Sequence, residues 1–222
     1  MQQLQQQQAV ASLSYFAENN IYTQDSMSNI TQFLNERGYQ SFEGYSQQSS
    51  KQVADLIKLT KDSGNHMMEI GFNAGHSAEV FLQNNPALTL TSFDLGAHDY
   101  VSIAKEYIDA TYPNRHTLIL GDSTITVPKF ISDNKDKRFD LIFIDGGHDY
   151  AIANADLENC RKLANKDTLV IVDDTIYTDG WSTHYTYGPT RAWTEHVTNG
   201  TVAKIQSADY EHGRGMSWGK YT

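Results

Sequence analysis

From residue 49 onward, short apolar runs alternate with amphipathic stretches. The runs predict strands over Met67–Ile70, Leu88–Phe93, Thr117–Leu120, Leu141–Ile144 and Thr168–Val172. The stretches between them carry apolar residues at helical spacing and predict helices over Lys51–Lys61, Ser77–Leu82, Val101–Ala110, Ile125–Ser132 and Ala151–Leu163. Strands that alternate with helices are typical of an α/β protein, with a parallel sheet wound on both sides.

The C-terminal part of the chain departs from this alternation. Thr190–Val197 has a helical pattern, and Val202–Ala208 and Gly215–Tyr221 then follow as two strands with no helix between them. Two strands joined without a crossover helix predict an antiparallel hairpin. The predicted sheet is therefore mostly parallel and closes with this hairpin.

The N-terminal part has a different composition. Residues 1–8 are nearly all Gln, and the apolar positions of residues 9–36 predict one or two short helices. This segment has too few apolar residues for a core of its own. We therefore divide the chain into residues 1–48, a Gln-rich tail with a helical lid or dimer arm, and residues 49–222, one α/β domain.

Composition and charge limit the kinds of partner that the protein is expected to bind. The 222 residues carry a formal net charge of −10 without a Lys/Arg cluster, which disfavours a phosphate backbone as the main ligand. No apolar run approaches the length of a membrane span, and no signal peptide is evident. The single Cys160 excludes an internal disulfide. We expect a cytoplasmic protein with neither a nucleic-acid nor a membrane partner.

Acidic residues follow two of the predicted strands. Leu141–Ile144 continues into Asp145-Gly146-Gly147-His148, and Thr168–Val172 continues into Asp173-Asp174. The carboxyl ends of parallel strands open into the crevice where α/β sheets bind ligands. Three converging carboxylates repel one another unless a cation or a proton intervenes, and Mg²⁺ accepts such hard ligands. Asp145, Asp173 and Asp174 are candidate Mg²⁺ ligands; alternatively, Asp173-Asp174 only begins a loop.

His148 is the candidate general base. An unperturbed imidazole has a pKa near 6.5, which suits removal of a proton from a hydroxyl at neutral pH. A lone His is more often a surface or core residue. Its position three residues after a candidate metal ligand favours a catalytic role.

A glycine-containing turn follows the first predicted strand, with the pattern E-x-G-x-x-x-G at Glu69, Gly71 and Gly75. Such a turn brings the backbone close to a ligand, although many plain turns look alike. Asn73 departs from the nicotinamide pattern G-x-G-x-x-G, which weakens a dinucleotide assignment. Asp94, at the end of the second strand, is a candidate ribose ligand; alternatively, it only caps the helix that follows.

Asp122 ends the third strand in the sequence Gly121-Asp122-Ser123. Its carboxylate could accept a hydrogen bond from an adenine amino group. Capping of the following helix explains it equally well.

The loop Thr175–Pro189 is rich in aromatic and hydroxyl side chains, a combination that suits sugar recognition as well as a plain surface loop. Tyr177, Trp181 and His184 are its candidate substrate contacts. Arg191 follows and could pair with a phosphate, a carboxylate or a nearby acid.

Taken in order, these motifs resemble those of class I S-adenosylmethionine-dependent methyltransferases over about residues 50–222. The resemblance implies a Rossmann-like, doubly wound, seven-stranded sheet. It also implies S-adenosylmethionine as cofactor, with Asp94 on the ribose hydroxyls and Asp122 and Ser123 flanking the adenine. The residues implied at the cofactor's methionine end are Glu69, Gly71, Asn73, Gly75 and Ser77, and Asp145 is implied to border the cofactor as well as the metal.

The combination of Asp145, His148 and Asp173-Asp174 is similar to that of metal-dependent sugar O-methyltransferases. Catechol O-methyltransferase has a Lys at the position of His148 and an Asp-Asn pair instead of Asp-Asp. The resemblance implies Mg²⁺-dependent methylation of a sugar or nucleotide sugar by a homo-oligomer, most simply a dimer. The alternatives are a catechol-type phenolic acceptor, a nicotinamide oxidoreductase and a non-catalytic cofactor-binding protein.

Overall fold

Seven strands form one sheet at the centre of the molecule: β1 His66–Ile70, β2 Thr89–Asp94, β3 His116–Leu120, β4 Phe139–Ile144, β5 Ala164–Asp173, β6 Val202–Tyr210 and β7 Arg214–Tyr221. Their order across the sheet is β3-β2-β1-β4-β5-β7-β6. The computed structural model describes residues 29–44, 49–176, 184–210 and 213–222. All neighbouring strands are parallel except the pairs β5–β7 and β7–β6, which are antiparallel. The predicted fold, a mostly parallel Rossmann-like sheet with a terminal antiparallel hairpin, is confirmed.

The elements alternate along the chain as predicted. The helices are α1 Asn29–Asn35, α2 Ser50–Lys61, α3 His76–Asn84, α4 Tyr100–Thr111, α5 Ser123–Asp133, α6 Tyr150–Arg161 and α7 Tyr187–Thr198.

Two hydrophobic clusters cover the two faces of the sheet. Alternate residues of a strand point to opposite faces, so β4 contributes Leu141 and Phe143 to one cluster and Ile142 and Ile144 to the other. All four side chains are buried. This double burial explains why the sequence of β4 is continuously apolar rather than alternating.

Helix α1 packs on the first of these clusters. Its residues Ile30, Phe33 and Leu34 have no solvent exposure, and the backbone N–H of Ile30 donates a hydrogen bond to Glu79 Oε1 in α3 at 3.0 Å. The described part of residues 1–48 therefore has no separate core and lies against the α/β domain.

Two elements begin three or more residues earlier than the sequence predicts, for physical reasons. β5 begins at Ala164 instead of Thr168, because the polar, exposed residues 165–167 extend the strand without adding an apolar signal. α7 begins at Tyr187 instead of Thr190, with Pro189 in its first turn, where a missing backbone N–H costs no helical hydrogen bond. No helix in the described ranges is long and apolar enough to cross a membrane.

Candidate active site

A cavity of about 740 Å³ opens where the parallel strands end. Sequence-predicted residues form much of its wall. Those that line it are Gly71, Asn73, Asp94, Asp122, Ser123, Asp145, His148, Asp174 and His184. The remaining described candidates (Glu69, Gly75, Ser77, Asp173 and Arg191) do not line it.

The turn after β1 and the turn after β4 meet at the floor of this cavity. Gly71 has a φ of +95°, and a Cβ atom at this position would lie 1.9 Å from the backbone oxygen of Asp145. Only glycine permits so close an approach. The backbone N–H of Asp145 also donates to the carbonyl of Ile70 at 2.9 Å, so the two turns are held together.

Asp94 is oriented by backbone donors on both of its carboxylate oxygens. Asn73 N–H donates to Oδ2 and Gly96 N–H donates to Oδ1, each at 2.7 Å. These bonds fix the carboxylate at the cavity wall while leaving lone pairs available to a bound hydroxyl. The prediction that Asp94 holds ribose hydroxyls is compatible with this geometry.

Asn73 adds an unusual backbone conformation and a buried acceptor. Its φ is +49°, in the left-handed region that Asn tolerates better than most residues. Its side-chain Oδ1 is buried and has no hydrogen-bond partner among the described residues. A buried acceptor without a partner is costly, so the site fits a ligand that donates a hydrogen bond here, as the ammonium group of S-adenosylmethionine can.

Glu69 and Ser77, predicted to line the cofactor site, lie behind its wall. The Glu69 carboxylate accepts hydrogen bonds from Ser77 Oγ in α3 and, at 2.6 Å, from Ser92 Oγ in β2. Complete burial raises the pKa of Glu69 to about 7. Gly75 supplies the left-handed residue that precedes α3. These three residues support the site rather than line it.

Asp122 has the capping role that the sequence left open, while its contact with an adenine stays a prediction. It caps α5, since its Oδ1 accepts from Thr124 N–H at 2.8 Å and from Thr124 Oγ1 at 2.7 Å, and it also lines the cavity. The Thr124 hydrogen bonds lower the pKa of Asp122. Ser123 follows at the first position of α5 and lines the same wall.

Asp145, His148 and Asp174 form the tightest group of potential metal ligands in the described part of the chain, with one ligand atom from each within 4.8 Å of the others. His148 Nε2 lies 3.0 Å from Asp174 Oδ2. Asp174 has a φ of +56°, a strained backbone that directs its carboxylate to this point. Enclosure by protein and the negative charges of Asp173 and Asp174 raise the pKa of Asp145 well above its usual range.

Asp173 stands apart from this group, in contrast to the sequence prediction of three Asp ligands. Its carboxylate is buried, and both of its oxygens accept from Gln52 Nε2 in α2, at 2.7 and 2.8 Å. Arg214 Nη2 at the start of β7 lies 3.9 Å from Oδ2. Burial and the charge of Asp174 raise the pKa of Asp173. As the last residue of a strand, Asp173 points into the protein, whereas the left-handed Asp174 faces the cavity.

His148 is positioned by the start of α7. A Cβ atom on Gly188 would lie 2.0 Å from the backbone oxygen of His148, so the helix packs directly against the turn that carries the imidazole. The ring of Tyr185 lies 5.5 Å from that of His148. The hydrogen bond with Asp174 raises the pKa of His148. This geometry suits an imidazole that accepts a proton and is stabilised as the cation.

The structure places the predicted substrate contacts differently with respect to the cavity. His184 lines the cavity. Tyr177 and Trp181 lie outside the described residues. The structure argues against Arg191, because its side chain is mostly exposed and away from the cavity. Its Nε donates to Glu195 Oε1 at 2.9 Å and its guanidinium covers the ring of Tyr150, so the nearby acid is its partner.

Several residues in or near the cavity were not found from the sequence, among them Gln52, Glu43 and Arg214. Glu43 and Arg214 line the cavity, and Gln52 holds Asp173. None of these three occupies a motif or the end of a parallel strand. They reach the site only through packing of the N-terminal segment and of α2 and through the antiparallel direction of β7, which hydrophobic periodicity does not reveal.

The cavity is strongly acidic. All 17 Lys and Arg residues lie in the described ranges, and only Arg214 is among the lining residues. The acidic lining residues are Glu43, Asp94, Asp122, Asp145 and Asp174. A cleft lined by one sign of charge attracts ligands of the opposite sign, so this one favours a metal cation or a sulfonium compound.

Comparison with known proteins agrees with this geometry. Residues 68–175 match a protein family described as a methyltransferase domain. No curated protein matches the chain in sequence. The structure is similar to the O-methyltransferase from Bacillus cereus in complex with S-adenosylhomocysteine, with a TM-score of 0.68, 18% identity, and coverage of 95% of this chain and 97% of that one.

Two further solved structures are similar. The O-methyltransferase TomG from Streptomyces achromogenes, involved in tomaymycin synthesis and solved with S-adenosylmethionine, has a TM-score of 0.69 at 17% identity and coverage of 96% of both chains. CalS11, a TDP-rhamnose 3′-O-methyltransferase of calicheamicin biosynthesis, has a TM-score of 0.60 at 18% identity, covering 97% of this chain and 94% of that one.

Proposed function

We propose that this chain, which has the fold that S-adenosylmethionine-dependent O-methyltransferases adopt, is itself such an enzyme and methylates a hydroxyl group of a sugar or nucleotide sugar with the help of Mg²⁺. One observation supports this most directly. The group formed by Asp145, His148 and Asp174 opens into the same cavity as Asn73 and Asp94. A candidate base and candidate metal ligands therefore share one space with the candidate cofactor site.

The residues present fit S-adenosylmethionine. Gly71 and Asn73 would hold its methionine end, where the buried Oδ1 of Asn73 provides an acceptor for the ammonium group. Asp94 would accept from the ribose hydroxyls, and Asp122 and Ser123 would border the adenine. When bound, the cofactor supplies an electrophilic methyl group on a sulfonium centre.

The residues also fit Mg²⁺, which prefers carboxylate oxygens. Asp145 and Asp174 would hold the ion, and Asp173 remains the predicted third carboxylate, one residue away and tied to Gln52. Bound Mg²⁺ supplies Lewis-acid polarisation of an acceptor hydroxyl. The imidazole of His148 would accept the hydroxyl proton, and the cavity walls would orient the acceptor for methyl transfer.

The proposed acceptor class rests on the wall beside His148. Tyr185 and His184 present ring faces and polar atoms there, which suit the C–H faces and hydroxyl groups of a sugar. The similar structure CalS11 carries the name of a nucleotide-sugar O-methyltransferase. A catechol-type acceptor is the second candidate, because it too presents two neighbouring hydroxyls to a metal.

A transfer assay tests the proposal. The purified protein is incubated with methyl-labelled S-adenosylmethionine, with Mg²⁺ or with EDTA, and with free sugars, TDP-sugars or catechol. We expect labelled sugar product that disappears with EDTA. Product with catechol alone would favour the second candidate. Calorimetric titration that finds NADH binding but no S-adenosylmethionine binding would instead support an oxidoreductase.

Location and assembly remain predictions. We expect a cytoplasmic protein that forms a homo-oligomer, most simply a dimer. Size-exclusion chromatography with light scattering measures the mass of the particle and decides between monomer and dimer, because one chain has a mass of 25.0 kDa.

A further inference from the structure

We propose that Asn73 fastens residues Tyr39–Gly44, here named the strap, across the cofactor side of the cavity and thereby controls how fast the cofactor leaves. The Asn73 side-chain Nδ2 donates to the backbone oxygens of Glu43 at 2.6 Å and of Gly44 at 3.1 Å. Both strap residues line the cavity, as Asn73 itself does. A single side chain thus joins the strap to the turn after β1.

The strap is held from the opposite side by aromatic packing. The ring of Phe42 lies edge-on to His76, at 5.2 Å between centroids, and to Tyr100, at 5.5 Å. Backbone N–H of Glu43 donates to the hydroxyl oxygen of Tyr100 at 3.3 Å. The Glu43 carboxylate lies 2.9 Å from His98 Nε2. The strap therefore rests on α3, on α4 and on the loop before α4.

Asn73 couples the strap to the candidate ribose ligand. Its backbone N–H donates to Asp94 Oδ2 at 2.7 Å, while its side chain holds Glu43 and Gly44. The left-handed φ of +49° lets the backbone N–H of this residue face Asp94 while its side chain faces the strap. Strap and ribose ligand are joined through one residue, so opening the strap requires breaking the two side-chain bonds of Asn73.

This role is separate from the direct cofactor contact proposed above for Asn73 Oδ1, and like that contact it rests on the proposed S-adenosylmethionine site. Loss of the direct contact alone weakens binding without changing hydrogen exchange in the strap. As a fastening, its loss frees the strap and speeds cofactor departure. Two hydrogen bonds of about 1 kcal/mol each correspond to an acceleration of roughly 10-fold or more in release. The inference concerns cofactor release alone and is independent of the acceptor and of the metal.

The variant Asn73→Gly separates the two roles. Glycine accepts a positive φ at no steric cost, so the backbone bond to Asp94 is retained while the side chain is lost. Asn114→Gly is the matched control, because Asn114 also has a left-handed φ, +63°, but lies exposed in the loop before β3, away from the cavity. Release of S-adenosylhomocysteine is measured by stopped-flow fluorescence. Exchange of strap amides is measured by hydrogen–deuterium exchange.

We expect Asn73→Gly to release S-adenosylhomocysteine roughly 10-fold faster or more and to lose protection in the strap, with Asn114→Gly unchanged. Unchanged release, or weaker binding with strap protection intact, would overturn the inference. Tyr100→Phe provides a second route if Asn73→Gly does not fold. It keeps the ring packing, removes the hydroxyl that accepts from Glu43, and should raise release and strap exchange a few-fold, roughly as one hydrogen bond predicts. No change in either quantity for Tyr100→Phe would also contradict the fastening.

Discussion

The side-chain amide of Gln52 holds both carboxylate oxygens of Asp173, at 2.7 and 2.8 Å, although 121 positions separate the two residues in the chain. This contact joins α2 to the end of β5 beneath the candidate metal site. It satisfies a buried carboxylate whose nearest cation, on Arg214, is 3.9 Å away.

Replacement of Gln52 by Leu should therefore destabilise the fold. The variant leaves the Asp173 carboxylate buried without its amide donor, and we expect a loss of roughly 1–3 kcal/mol in the free energy of unfolding. Urea denaturation followed by circular dichroism measures it. Gln32→Leu is the control, because Gln32 bonds Glu36 on the exposed face of α1. Equal midpoints for the two variants would show that the Gln52 contact does not stabilise the fold.

His148 should be required for methyl transfer. We expect His148→Ala to lower kcat by roughly 10²-fold or more, because a general base contributes about that much. S-adenosylhomocysteine affinity, measured by calorimetry, should stay within about twofold of the wild-type value, since the imidazole faces Asp174 rather than Asp94. His66→Ala, at the opposite end of β1, is the control. Wild-type turnover in His148→Ala would remove this residue from the mechanism.

The three Asp residues should contribute unequally to metal binding. We expect Asp145→Asn and Asp174→Asn each to weaken Mn²⁺ affinity by about 10-fold or more, and Asp173→Asn by less, because Gln52 already occupies both oxygens of Asp173. Electron paramagnetic resonance of free Mn²⁺ gives the affinity without an activity assay. The adjacent Asp149, which is exposed, provides the control variant Asp149→Asn.

If Asp173→Asn weakens Mn²⁺ binding as much as the other two substitutions, the three-carboxylate set predicted from the sequence is correct. Asp173 would then have to exchange its Gln52 bonds for the ion. Equal affinities in all four variants would show that the carboxylates have a structural role only.

Because of Glu69, the free energy of unfolding should fall as the pH rises towards 7, which is the reverse of the usual effect of a carboxyl group. Burial raises the pKa of Glu69 to about 7, so the folded protein binds a proton that the unfolded chain, with a pKa near 4.5, has released. The contribution of this group is fully present below pH 4.5 and is lost as the pH rises to about 7. The loss amounts to about 3 kcal/mol in the free energy of unfolding.

Glu69→Gln should remove this dependence, because a neutral amide does not titrate. Urea denaturation of both proteins at pH 5 and at pH 7.5 checks this. Between these pH values the free energy of unfolding should fall in the wild type and fall less in the variant. Glu106→Gln, on the exposed side of α4, should follow the wild type at both values. Parallel pH dependence in wild type and Glu69→Gln would contradict the raised pKa.

Much of the fold follows from the sequence because strand burial leaves a direct signal. The apolar run of β4 and the acids at the ends of β2, β3, β4 and β5 predict where the cavity lies, since parallel strands end on one edge. Asp94, Asp145, His148 and Asp174 all lie there. These are local features of a strand and its following turn.

Other parts of the site depend on long-range packing that no local pattern encodes. Glu69 belongs to the same motif as Gly71, yet it faces the interior, where its carboxylate accepts hydrogen bonds from Ser77 in α3 and Ser92 in β2. Asp173 and Asp174 look equivalent in sequence, but the left-handed backbone at Asp174 separates their directions. Gln52 and Arg214 reach Asp173 from distant segments.

The position of β7 between β5 and β6 has a consequence for the order in which the molecule can be completed. Strand β7 pairs with β5 on one side and β6 on the other, so β6 cannot join the sheet until β7 is in place. Arg214 arrives beside Asp173 in the same step. On the ribosome, where synthesis runs from the N-terminus, this sheet edge and its arginine can assemble only once β7 has emerged. A nascent chain that stalls before Arg214 therefore carries every strand-end acid but an unfinished pocket.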